Sequence, residues 1–79
     1  MADPKELVTY IATGLVEDAT GIVVEESEDR RQKAVRLTVA PEDMGRVIGR
    51  DGRIANAIRT LLKSGRFGER WTLEVRDRE

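Results

Sequence analysis

Two stretches of strict apolar alternation, Val35-Leu37-Val39 and Trp71-Leu73-Val75, stand on either side of residues 40–70, a segment patterned at helical spacing. Alternation with a period of two marks strands that bury one face. A tight turn cannot join strands so far apart, whereas a helical crossover lets them lie parallel in one sheet. The chain is thereby steered toward an α+β fold.

The remaining segments complete the order. Asp3-Pro4-Lys5-Glu6 has the form of a helix start: a carboxylate cap, Pro where its missing N–H costs nothing, and Glu three residues after the cap. Leu7, Val8, Tyr10, Ile11 and Leu15 follow at helical spacing and predict a helix to about Asp18, with Thr20-Gly21 behind it. Ile22-Val23-Val24 opens a strand that turns polar at Glu25-Glu26-Ser27-Glu28, and it pairs with the Val35 strand as a hairpin. Glu25, Glu26, Glu28 and Asp29 read as a solvated edge that discourages aggregation. Pro41-Glu42-Asp43 begins a short helix with Met44, Val47 and Ile48 on its apolar face, stopping at Gly49. A second helix starts at Gly52. It directs Ile54, Ile58, Leu61 and Leu62 to the core and Arg53, Asn56, Arg59 and Lys63 outward. The expected architecture is α-β-β-α-α-β, a three-stranded mixed sheet with three helices on one face. Trp71 and Tyr10 are expected in the core, and Phe67, between two glycines, against a partner.

At 79 residues and 39% hydrophobic content the chain supports one core and one domain, 1–79. It contains neither cysteine nor histidine. Disulfides, thiolate nucleophiles, Cys/His zinc sites and histidine-based acid–base chemistry are therefore excluded, and no enzyme, cofactor or small-molecule substrate is expected. The longest apolar run is a few residues and the N-terminus lacks a hydrophobic signal region. The expectation is a cytoplasmic protein with no membrane partner.

Charge is unevenly distributed. Residues 1–44 carry five Lys/Arg and ten Asp/Glu, a net of −5, whereas residues 45–79 carry nine and five, a net of +4. Between Gly45 and Arg70, seven basic residues face only Asp51 and Glu69, as for a surface that meets a polyanion. Eleven of the fourteen basic residues are Arg, whose planar fork suits phosphate oxygens.

Within this basic stretch lies Val47-Ile48-Gly49-Arg50-Asp51-Gly52-Arg53-Ile54, two helices joined by Gly-x-x-Gly. Glycines allow positive φ and the close approach of a foreign backbone. The N–H groups opening the Gly52 helix face an incoming phosphate, with Arg50 and Arg53 beside it and the Asp51 carboxylate partly offsetting Arg50. No Gly-Lys-Ser/Thr follows, so this is not a triphosphate-binding loop. Gly-x-x-Gly alone also fits a plain turn between helices; the hairpin before it and the strand after it add context.

These residues, with the continuation Ala55-Asn56-Ala57-Ile58-Arg59-Thr60-Leu61-Leu62 and the lead-in Leu37-Thr38-Val39 and Pro41, resemble the KH domain in its bacterial type II order. The similarity extends over nearly the whole chain and is greatest to the small stand-alone KhpA-type RNA-binding proteins, the minimal motif spanning about 33–76 with its loop at 49–52. The resemblance implies binding of about four unpaired nucleotides of RNA. By position, Gly49, Arg50, Asp51 and Gly52 form the clamp, Ile48, Arg53 and Ile54 the groove edge, and the hairpin arginines Arg30 and Arg31 the other wall. It also implies RNA-chaperone-like action without catalysis, as a homodimer or a heterodimer with a larger KH-domain protein. Two alternatives stay open: a protein–protein adaptor on the same fold, and a helix-turn-helix over Met44 to Leu62 reading duplex DNA.

Overall fold

The computed structural model describes residues 3–28, 32–67 and 70–78. Helix α1 (Pro4–Leu15) leads through a 3-10 turn at Ala19–Gly21 into strands β1 (Val23–Glu28) and β2 (Lys33–Val39). A second 3-10 turn, Pro41–Asp43, precedes the short α2 (Met44–Ile48), and the turn Arg50–Gly52 connects it to α3 (Arg53–Lys63), followed by β3 (Trp71–Asp77). The expected α-β-β-α-α-β order is the order found.

The sheet runs β1-β2-β3, with β1 antiparallel and β3 parallel to the central strand. Register follows the apolar alternation: Leu37 lies opposite Val24 on one side and Val75 on the other, and Val35 opposite Leu73. A one-residue slip would turn Val35, Leu37 and Val39 out of the core, which is why the pattern holds the register. Val8 and Ala12 of α1, Val47 of α2, and Ala55, Ile58 and Leu62 of α3 join those three residues, Trp71 and Leu73 in one buried cluster, so all three helices cover the same sheet face. Truncating a fully buried leucine here, Leu37 or Leu62, costs about 2–5 kcal/mol by lost transfer energy and cavity formation. On the opposite face, Arg36 Nε lies 3.7 Å from Glu74 Oε1, and Arg76 Nη2 lies 3.3 Å from the same oxygen.

The helix boundaries and core assignments differ from expectation in ways that have physical reasons. Helix α1 stops at Leu15 rather than Asp18, because Val16 is extended and the next two N–H groups, of Glu17 and Asp18, donate to the Asp43 carboxylate at 3.1 and 3.2 Å. Tyr10, expected in the core, is 81% exposed; the narrow buried stripe of Val8 and Ala12 leaves it on the outer face. Leu61 is exposed as well, and Ala55 takes its place in the core stripe with Ile58 and Leu62. Phe67 is half-buried and packs against the buried cluster, so at least part of its side chain serves the core. Trp71 is in the core as expected, with Lys33 Nζ 5.5 Å from its ring centroid. The glutamates Glu25, Glu26 and Glu28 are exposed along the edge strand β1; Asp29 lies outside the described residues. Among the described residues no helix is long and apolar enough to cross a membrane.

Candidate nucleic-acid interface

The Gly-x-x-Gly segment is built by three successive departures from right-handed helix. Gly49 ends α2 at φ 78° and ψ 172°, its N–H still donating to Gly45 O at 2.9 Å. Asp51 and Gly52 then both adopt left-handed backbone, at φ 56° and 77°, and Gly52 N–H donates to Gly49 O at 3.2 Å. Asp tolerates this region better than most side chains because its short carboxylate interacts locally with the backbone. The same acid, exposed next to the first turn of α3, also lies at the positive end of that helix dipole.

The two glycines do different work. A Cβ at Gly49 would lie 2.7 Å from Ile54 Cγ1 and 3.0 Å from Ile54 N, so the chain itself occupies the space that this glycine leaves. A Cβ at Gly52 would meet only Asn56 Nδ2, at 3.5 Å. Gly49 therefore serves the fold, while Gly52 keeps an open surface at the start of α3.

The N-cap of α3 is Gly52, which has no side chain to cap it, and among the described residues no side-chain cap bond forms there. Arg50, Asp51 and Arg53 are exposed and make no ion pair among the described residues; of the two courses open to Asp51, pairing with Arg53 or pointing to solvent, it takes the second. Ile48 and Ile54 are half-buried against the core, their outer surfaces bordering the loop. The seven residues from Ile48 to Ile54 are brought together by local geometry, as contiguous positions must be. Arg30 and Arg31, assigned to a second wall, lie outside the described residues.

Behind the loop, Asp43 anchors α2. Its carboxylate is fully buried and accepts from Glu17 N, Asp18 N and, at 2.9 Å, Arg46 Nη1. Chiefly the Glu17 N–H, then that of Asp18 and the Arg46 guanidinium, hold its carboxyl below the usual carboxylate range against the opposing effect of burial. Arg46, the basic residue of α2, is thus committed to Asp43 and to Glu17, 3.4 Å away, rather than free for a ligand. Sequence reading placed Asp43 only in a helical first turn; the i,i+3 spacing of Asp43 and Arg46 was the available sign of their pairing. A similar i,i+3 pair stands on α3, where Arg59 Nη1 donates to Asn56 Oδ1 at 3.1 Å.

Comparison with known proteins agrees with this geometry. The family model for the KhpA/KhpB KH domain matches residues 5–75. Over 66 residues, 84% of this chain and 78% of the relative, the sequence is 52% identical to RNA-binding protein KhpA of Lactiplantibacillus plantarum. It is 48% identical over 65 residues to RNA-binding protein KhpA of Caldanaerobacter subterraneus subsp. tengcongensis, covering 82% of this chain and 87% of that one. The protein of the same name from Treponema pallidum is 41% identical over 75 residues, 92% of this chain and 94% of its own. No solved structure matches the chain.

Proposed function

This chain belongs to the KhpA/KhpB KH-domain family, and from that premise we propose that it binds single-stranded RNA without catalysis, the Gly49–Gly52 loop holding the backbone of about four nucleotides. The observation that carries this reading is the start of α3 at a glycine cap, with Gly52 open beside it and Arg50 and Arg53, its neighbours in the chain, both exposed. A phosphate there meets backbone N–H groups, the positive end of a helix dipole and two charge-assisted donors. Ile48 and Ile54 offer apolar surface for the unstacked bases. Arg30 and Arg31 are the proposed opposite wall, and 1–79 the whole KH unit with its minimal motif at about 33–76.

Four nucleotides in one cleft specify little sequence and bind modestly. The protein therefore works with a second module, as a homodimer or with a larger KH protein, where effective concentration multiplies a weak affinity.

The test is fluorescence anisotropy with a labelled single-stranded RNA, with unlabelled duplex DNA of equal charge as competitor. Gly52→Asp, which fills the open surface with a charge that repels phosphate, lowers affinity on the order of 100-fold, about 2.7 kcal/mol. Circular dichroism checks that the variant remains folded. A folded Gly52→Asp protein with unchanged affinity removes the loop from binding, and duplex DNA that competes as well as RNA favours the helix-turn-helix alternative. RNA affinity falls steeply as salt rises; negligible RNA binding beside a protein complex that persists at high salt favours the adaptor alternative.

A further inference from the structure

The amide of Asn56 stands beside the open surface of Gly52 in an orientation that its neighbours determine. Arg59 Nη1 lies 3.1 Å from Asn56 Oδ1. A guanidinium has donors and no acceptor, so the atom facing it is the carbonyl oxygen and the amide nitrogen must point the other way. That nitrogen, Nδ2, lies 3.5 Å from where a Cβ on Gly52 would stand. Among the described residues nothing accepts from it. The residue is exposed, and the backbone beneath it is held by α3, with Asn56 O accepting from Thr60 Oγ1 at 3.0 Å.

We propose that Asn56 is a neutral contact to the bound strand, its Nδ2 donating to a phosphate oxygen of the nucleotide that passes Gly52, with Arg59 as the positioning residue that sets the amide's direction. This rests on the RNA-binding reading above and adds a residue outside the Gly-x-x-Gly loop to it. Phosphate is the acceptor favoured by position: the amide lies over the residue whose missing side chain admits a backbone, at the positive end of α3. A neutral donor there adds hydrogen bonding without adding charge. Its share of the affinity is therefore separable from that of Arg50 and Arg53.

The sequence contains one Asn and one Gln, so the side-chain amide region of a 1H–15N spectrum holds only the pairs of Asn56 and Gln32. Titration with short oligo(U) and, separately, oligo(A) shifts the Asn56 pair with both, and Asn56→Asp identifies the pair by its loss. Asn56→Ala weakens both oligonucleotides alike, about three- to tenfold, and leaves the salt dependence unchanged because a neutral group releases no counterion. Arg59→Lys, which retains the charge and a donor for Oδ1, preserves the Asn56 shift; Arg59→Leu diminishes it. If Gly52→Asp abolishes binding while the Asn56 signals stay still in the wild type, the loop reading stands and this one is overturned. Loss confined to one oligonucleotide means a base contact and overturns the phosphate assignment. If the wild type binds neither, the parent reading falls first.

Discussion

Helices α1 and α3 begin in opposite ways. At α1, Asp3 Oδ1 accepts from Glu6 N at 2.7 Å, Asp3 O accepts from Leu7 N at 3.0 Å, and Pro4 fills the first position. Glu6 adds negative charge at the positive end of the dipole. At α3 the cap is a left-handed glycine with no side chain, and Arg53 opens the first turn. The first helix satisfies its own terminus. The second sets the exposed Arg53 against its own dipole and offsets it only in part with Asp51 in the preceding turn. One end is satisfied by its own side chains; the other leaves its first N–H groups without a side-chain partner from its cap, which is the feature the proposed RNA contact uses.

The sharpest way to break this comparison is to add one methyl at each loop glycine. Gly49→Ala combines positive φ with a clash against Ile54 and lowers folding stability by about 2–4 kcal/mol, measured by urea unfolding. Gly52→Ala carries only the backbone strain, about 1 kcal/mol. Equal losses at the two positions would mean that both glycines serve the fold alone.

Next in size is the charge at the α3 start. Arg50→Gln and Arg53→Gln each weaken RNA binding by about 1–2 kcal/mol and lower the salt slope by up to about one unit, with folding retained. Arg76→Gln on β3, whose guanidinium is paired with Glu74, leaves affinity nearly intact in the same anisotropy titration. Should all three lose affinity equally, binding is diffuse attraction to a charged surface.

Asp3→Ala reverses the readouts. It removes the α1 cap at about 1 kcal/mol of stability in thermal or urea unfolding and leaves RNA affinity unchanged. An affinity change would connect α1 to the interface and erase the contrast between the two helix starts.

Asp51→Asn has the smallest effect. Asn keeps the left-handed preference and removes the one negative charge in the loop, so RNA affinity rises by about 0.5 kcal/mol while α3 loses about 0.3–0.5 kcal/mol of dipole stabilisation. Affinity that falls instead would show that the carboxylate takes part in binding.

How much of this was legible in advance depended on the range of the forces involved. The α1 cap acts across three residues, from Asp3 to Glu6, and the sequence displayed both partners. The loop was legible for the same reason, since Ile48 to Ile54 are contiguous. Asn56 and Arg59 were read only as an outward face, because helical spacing says that two side chains are neighbours but not that one orients the other toward Gly52. Asp43 bonds to N–H groups 25 and 26 residues away, a pairing with no local pattern to announce it.

By itself, then, the sequence determined the element order, the parallel placement of β3 and the position of the glycine loop between two helices, because period-two and helical patterns and glycine positions are local and each element must bury its apolar residues. Tertiary structure decided which edge of each apolar stripe meets the sheet. Periodicity makes a stripe wider than the contact available, so Val8 and Ala12 went in while Tyr10 stayed out, and Ala55 displaced Leu61. It decided also where α1 stops, since the Asp43 carboxylate captures the chain at Glu17 and Asp18. Finally it divided the labour between two glycines identical in sequence, one crowded by Ile54 and one left open at the helix start. Packing against distant residues makes that distinction, and no local pattern encodes it.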